Sequence, residues 1–256
     1  MLRSDASLYE LPFKHVLNHV KPERMKLRNE PAKRLWWLHE RARVAMRESL
    51  TGLSRFIATP RVAKHRFFVF LDATVLPDTR LNVIARDDDL TFGMLSSRLH
   101  EVWSLANASM HGVGNDPTYN AKSCFETFPF PASNGLLTRS SQADISKAAK
   151  RLNDLREAWL NPPDWTDRIP EVTPLRMASS PYPDRILPKP GHEKDLAERT
   201  LTKLYNARPA WLDAAHKALD EAVATAYGWA DYTADMPDEE ILKRLLVLNL
   251  QRATGH

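Results

Sequence analysis

The segment with the most specific chemical implication is Asn161-Pro162-Pro163-Asp164-Trp165. An Asn-Pro-Pro-aromatic tetrapeptide can hold an extruded nucleobase. The Asn side chain and a prolyl carbonyl accept hydrogen bonds from an exocyclic amine, and the aromatic ring stacks on the base. Here the fourth position is Asp and the Trp comes one residue late. Such a motif belongs at the end of a strand in a cofactor-binding α/β domain, whereas this one follows a helical pattern. No strand leading into a Gly-rich turn is present to cradle a nucleotide-like cofactor, and the chain has eight glycines in all. The pentapeptide therefore reads as a turn that ends a helix.

The other chemistry-bearing groups are sparser. Arg86-Asp87-Asp88-Asp89 offers three carboxylates for a hard cation, but adjacent side chains in one turn diverge, so a helix-capping turn is the better reading. His15 and His19 are four residues apart on a basic helix without a carboxylate partner, which suits surface or structural histidines. Cys124, the single cysteine, sits beside Phe125 in an irregular stretch and reads as packed; one cysteine also excludes an intramolecular disulfide. No nucleophile elbow or phosphate loop is found.

What remains points to binding. Arg61, Lys64, His65 and Arg66 fall between two strand-like runs. They make a compact basic turn able to contact phosphates or to present an arginine to guanine O6 and N7. The loop from His111 to Tyr119 carries Gly114, Asn115, Asp116 and Thr118, with short polar side chains suited to base edges. Each feature alone is a weak signal, since basic turns are usually just solvated. The charge distribution favours a polyanion at one end. Residues 1–66 hold 15 Lys and Arg against 6 Asp and Glu, 67–192 hold 13 against 15, and 193–256 hold 8 against 11, within a formal net charge of +4.

The elements that must position these groups follow from periodicity. Residues 9–20 form a short helix that Pro22 ends or bends, and a second helix spans about 39–50 before Gly52. Strands are expected at 55–60, 67–71 and 81–85, around a turn containing Pro77 and Asp78. Helix returns after Asp89 with Phe92, Leu95, Leu99, Val102 and Trp103 on one face, and periodicity is lost from 106 to 131. Ser141-x-x-Asp144 resembles a capping box for a helix with Ile145, Ala149, Leu152, Leu155 and Trp159 inward. Residues 161–191, rich in proline, read as an extended connector, and helices are expected at 193–205, 209–227 and 237–252. The expected fold is α+β: a small, mainly antiparallel sheet with flanking helices over 1–135, a helix and connector over 136–192, and a helical domain over 193–256. The 43% hydrophobic content supports a packed core. No apolar run reaches the roughly 20 residues of a membrane span, and no signal peptide is evident. A cytoplasmic protein with no membrane partner is expected.

Several blocks together resemble the MmeI-like DNA methyltransferases and fused restriction-methylation enzymes: HVKPER (19–24), RFIATPRVAKHRFFVFLDATVLPD (55–78), VIARDDDLTFGMLSSRLHEVWSL (83–105), NDPTYN (115–120) with FETFPFP (125–131), and TLTKLYNARPAWLDAAHKALDEAVATAYGW (200–229). The resemblance runs in order over nearly the whole chain. It implies a target recognition domain followed by a helical segment, placed after a domain that methylates adenine N6 with S-adenosylmethionine. It also implies that base-reading residues lie before the FPFP block and around the turn between the early strands, at Gly114, Asn115, Asp116, Thr118 and Arg61 through Arg66. The family's cofactor-binding and catalytic motifs have no counterpart here. Met1 is thus expected to begin a truncated or split polypeptide, inactive alone and without its own cofactor. Its expected partners are double-stranded DNA and a methyltransferase domain in cis or in trans. The alternative is a helical protein-interaction module without specific DNA binding.

Overall fold

The structure is a computed structural model of the 256-residue chain, and it describes every residue except 42, 114, 132–136 and 255–256. Five short helices come first: α1 (Arg3–Ala6), α2 (Glu10–His15), α3 (Lys21–Met25), α4 (Glu30–Arg34) and α5 (Val44–Ser49). Strands β1 (Arg55–Pro60), β2 (Val69–Asp72) and β3 (Leu81–Ile84) precede helices α6 (Asp89–Ser96) and α7 (Arg98–Ala106). Two short strands, β4 (Met110–His111) and β5 (Asp116–Pro117), lead to the long helix α8 (Arg139–Leu160). Strands β6 (Thr166–Ile169) and β7 (Arg185–Pro188) then form a two-stranded pair. Helices α9 (Glu193–Ala197), α10 (Leu201–Ala207), α11 (Ala210–Ala226) and α12 (Asp238–Thr254) complete the order. The fold is α+β, and no described helix is long and apolar enough to cross a membrane.

Contacts divide the chain into two compact units, each discontinuous in sequence: Met1–Gly52 with Asp167–Leu187, and Leu53–Thr166 with Pro188–His256. In the first unit, Pro22 does not stop the helix. A wide π turn over Val16–Val20 joins α2 to α3, and Pro22 falls in the first turn of α3, directly after that turn. Trp36 is buried against Phe13 at 5.4 Å and Trp37 at 5.9 Å. The expected extended, wrapping connector packs into this unit over 167–187: Leu175 N–H donates to the Leu8 carbonyl at 2.9 Å, and Tyr182 lies 6.1 Å from Tyr9.

In the second unit the sheet order is β2-β1-β3, antiparallel throughout, with Ile57 opposite both Phe70 and Ile84. Phe56, Ile57, Ala58 and Thr59 are all buried, so the central strand is covered on both faces and shows no alternation. Helix α8 packs between α6 and α11. Ile145, Ala149 and Leu152 are inward as their spacing predicts, but Leu155 and Trp159 are only half-buried. The next inward position is Arg156, at 1% exposure, donating to the Phe68 carbonyl (2.8 Å) and Tyr205 Oη (3.1 Å). Gly93 permits the close approach of α6 and α8, since a Cβ there would meet Ala149 Cβ and Ile145 Cγ2 at 2.8 Å.

Capping chemistry places several boundaries away from expectation. Thr138, not Ser141, caps α8 by accepting from Ser141 N–H at 3.1 Å. Ser97 interrupts the helical run after Asp89, and Thr200 splits the expected 193–205 helix into α9 and α10. The boundaries expected near 135 and 192 cut through this unit's core. Tyr227 Oη donates to the Pro129 carbonyl at 3.0 Å and Arg252 to the Phe130 carbonyl at 2.6 Å, so α11 and α12 hold the FPFP block directly.

Candidate nucleic-acid interface

Beyond Pro60 the chain leaves β1, and the basic turn is captured by two neighbours. Arg61 N–H donates to the Arg80 carbonyl at 2.7 Å, and the Arg61 carbonyl accepts from Tyr119 N–H at 2.7 Å. Val62 and Thr118 form an antiparallel bridge. On the other side, β4 and β5 make a two-residue ladder, with Met110 opposite Pro117 and His111 opposite Asp116. The hairpin tip includes Gly112 at φ +79° and Asn115 at φ +51°, left-handed conformations that Gly and Asn adopt at low cost. Thr118 closes its base, donating its N–H to the Ser109 carbonyl at 2.8 Å and accepting at Oγ1 from Ser109 N–H at 3.2 Å.

The structure thus joins the two candidate segments by hydrogen bonds, but it divides their residues by role. Arg61 and Asn115 are exposed, and Asp116 and Thr118 are half-buried. Gly114 lies outside the described residues. Lys64 Nζ (2.7 Å) and His65 Nε2 (2.8 Å) both donate to Asn206 Oδ1 on α10. Arg66 is a correction: it is buried at 7% exposure, donating to Thr59 Oγ1 (3.0 Å) and the carbonyls of Pro60 (2.6 Å) and Pro117 (3.2 Å). With its guanidinium engaged by these acceptors, Arg66 fastens β1 to β5 instead of meeting a phosphate. Burial lowers its affinity for a proton, partly offset by Tyr119, whose ring lies 5.0 Å beneath it.

Between the two segments and β3 runs a groove of about 860 Å³. Besides Arg61, Val62 and Thr118 it is lined by Thr79, Arg80, Asn82, His111 and Asn120, and among the described residues none of those lining it carries a carboxylate. Arg80, Asn82, His111 and Asn120 were missed in the sequence. The signal for Arg80 was its place after the Pro77-Asp78 turn, opposite the basic turn across an antiparallel strand. Asn82 could be found only from register, as the partner of Thr59. Two exposed guanidinium forks with Thr, Asn and His side chains supply donors and acceptors for phosphates and base edges. The arrangement can bind a polyanion.

The floor beneath the groove is held by neutral groups. Tyr119 Oη donates to His100 Nε2 at 3.1 Å, and His100 Nδ1 donates to the Leu95 carbonyl at 2.9 Å, which sets the tautomer. Full burial pushes His100 down to about 3, and burial raises Tyr119. The brace under Asn206 is built likewise. Tyr205 Oη accepts from Arg156 and donates to His216 Nε2 at 3.0 Å, and burial pushes His216 down to about 3.

The remaining motifs have structural employment. Asn161 ends α8, and Trp165 turns back to stack on His192 at 5.4 Å and under Arg199 at 4.7 Å. Asp88 caps α6, accepting from Thr91 N–H at 2.7 Å, and Asp89 pairs with Arg55 at 2.9 Å. Cys124 is buried. The His15 and His19 rings lie 4.6 Å apart, both exposed.

No protein-family profile matches the chain, and no curated protein matches it. A solved structure of the type IIL restriction-modification enzyme MmeI in complex with DNA does match. The TM-score is 0.56 at 17% identity, over 93% of this chain and 26% of that one. The fold is therefore like that of part of a restriction-modification enzyme, and the chain spans about a quarter of that enzyme's length.

Proposed function

We propose that this chain is the DNA-reading part of a restriction-modification protein. Its groove takes duplex DNA, with Arg61 and Arg80 at phosphates or guanine edges and His111, Thr118 and Asn120 along the bases, while Asn115 and Asp116 on the adjoining hairpin reach the same duplex from outside the groove. Methyl transfer from S-adenosylmethionine to adenine N6 belongs to a methyltransferase domain supplied in cis or in trans, and this chain holds no cofactor of its own. The observation that carries the reading is the Val62–Thr118 bridge, which sets the basic turn and the polar hairpin along one carboxylate-free groove. Support also comes from the fold shared with a DNA-bound enzyme. The test is a fluorescence titration of a mixed-sequence duplex across salt, followed by selection of bound duplexes from a random library. Absence of binding at about 50 mM salt, or binding indifferent to salt, would sink the proposal.

A second reading rests on α12, whose Leu246, Val247 and Leu250 are exposed beside a pocket of about 310 Å³ lined by Tyr227 and Trp229. In that reading the helices dock a partner polypeptide. DNA binding unaffected by Arg61→Ala and Arg80→Ala, together with capture of a methyltransferase domain abolished by Val247→Asp, would favour it.

A further inference from the structure

The groove belongs to the unit without excess positive charge. The first unit holds 14 Lys and Arg against 9 Asp and Glu, and the second holds 22 against 23. A duplex presents about one negative charge per 1.7 Å of axis, and neutralising it supplies most non-specific affinity. Two groove arginines in an electrically balanced unit account for little of that.

In the first unit, much of the cationic charge is spent internally. Lys26 pairs with Glu23 at 2.7 Å, Lys33 with Glu30 at 2.6 Å and Arg185 with Glu171 at 3.5 Å. Arg24 donates to the Leu35 carbonyl, and Arg3 and Lys21 lie over the Trp36 ring at 5.6 and 5.3 Å. Within 28–43, however, Arg28, Arg34, Arg41 and Arg43 are exposed, and their guanidinium groups have neither ion pair nor hydrogen bond among the described residues. The two acids of that stretch are already engaged, Glu30 by Lys33 and Glu40 by the Asn29 amide at 3.0 Å. The half-exposed Trp37 is fixed in place by donation from its Nε1 to the Met1 carbonyl at 3.4 Å. Four unneutralised guanidinium groups, Arg34 at the end of α4 and Arg28, Arg41 and Arg43 in the segments that flank the short helices, have the chemistry of a phosphate grip.

We propose that Arg28, Arg34, Arg41 and Arg43, on the unit that does not carry the groove, make a second set of DNA contacts and bind the phosphodiester backbone without regard to sequence. The inference rests on the reading of the groove as a DNA site and divides the labour: the first unit supplies salt-dependent affinity, and the groove supplies discrimination.

The experiment uses the full chain and a duplex enriched from a random library by the wild type, with binding measured over a salt series. Replacing Arg28, Arg34, Arg41 and Arg43 with Gln should lower the slope of log affinity against log salt by about 3 to 4, at about 0.9 per phosphate contact. The preference for the enriched duplex over a scrambled one should stay within about twofold, because phosphate contacts carry no base information. A quadruple Lys variant should restore the slope, and circular dichroism melting shows whether each variant is folded. The control removes equal charge from exposed α8 positions, Arg139, Lys147, Lys150 and Arg151. An unchanged slope in the Gln variant, or an equal fall in the α8 control, overturns the phosphate grip while leaving the groove standing. Failure of the wild type to bind any duplex overturns the groove reading itself.

Discussion

The basic turn and the polar hairpin meet at one bridge, yet they are held in opposite ways. The turn is tied into the protein by side chains: the Arg66 guanidinium is engaged by three internal acceptors, and the Lys64 ammonium and His65 imidazole both donate to Asn206. The hairpin is tied by backbone at its base and leaves its tip open, with Val113 and Asn115 exposed. Charge in a sequence therefore marks two different things. One arginine of the turn builds the wall of the groove and another, Arg61, faces into it. A preorganised wall beside an adaptable rim is an economical way to keep a binding scaffold while varying what it reads.

If the turn is architectural, removing Arg66 should have the largest effect. Arg66→Ala removes the guanidinium donor from Thr59 Oγ1 and the Pro60 carbonyl, leaves the Pro117 carbonyl only the long bond from Ala63 N–H at 3.5 Å, and should cost about 3 kcal/mol. Chemical denaturation would show this, and a loss under about 1 kcal/mol would break the contrast. Asn115→Ala at the tip is the counterpart and should cost no more than about 1 kcal/mol, set by its left-handed backbone alone.

Acidification probes the buried layer under the turn. His100 and His216 are held near 3, below their ordinary 6.5, so the unfolded chain binds two protons that the folded chain refuses as pH falls below about 6.5. Asp220 has the opposite sign. Burial raises it to about 7, against an accepted hydrogen bond from Arg98 N–H that pulls it down, so the folded chain keeps a proton that the unfolded chain gives up above 3.8. Its contribution is present at low pH and lost as pH rises through about 7. Between about 6.5 and 4 the unfolded state holds one proton more in balance. These groups should then remove about 1.4 kcal/mol of stability per unit of acidification. Denaturation midpoints at several pH values check this. In a His100→Gln, His216→Gln variant the slope should change sign, since the carboxyls of Asp220 and Glu101, both raised by burial, remain.

Two smaller effects sharpen the comparison. Asn206→Ala frees Lys64 and His65 and should cost about 1 kcal/mol, with a several-fold weaker duplex affinity measured by titration. Asn115→Gly relieves the positive φ at the tip and should change stability by no more than about 0.5 kcal/mol while altering which duplexes are enriched from a random library. An unchanged selection would remove the hairpin tip from the reading surface.

Much of this was legible in the chain. The three strands, the inward face of Ile145, Ala149 and Leu152, and the helix-capping role of Asp88 follow from local periodicity and capping. The same holds for the turn at Asn161–Trp165. Less legible was every decision made by residues distant in sequence. Arg156 continues an apolar face because Phe68 and Tyr205 offer it acceptors. The 167–187 segment joins a unit because residues 1–52 are there to receive it. Arg80, Asn82 and Asn120 reach the groove through strand register and the bridge at Val62.

By itself, then, the sequence determined the types of element, the cationic bias of the N-terminal part and the two segments at which a polyanion could be read. Only tertiary structure decided that those segments lie side by side, that Arg66 turns inward while Arg61 turns outward, and that the groove and the excess positive charge fall in different units. The physical reason is that periodicity and capping are set within a few residues. Whether a polar side chain is buried or free depends on which acceptors the rest of the chain brings within hydrogen-bonding distance.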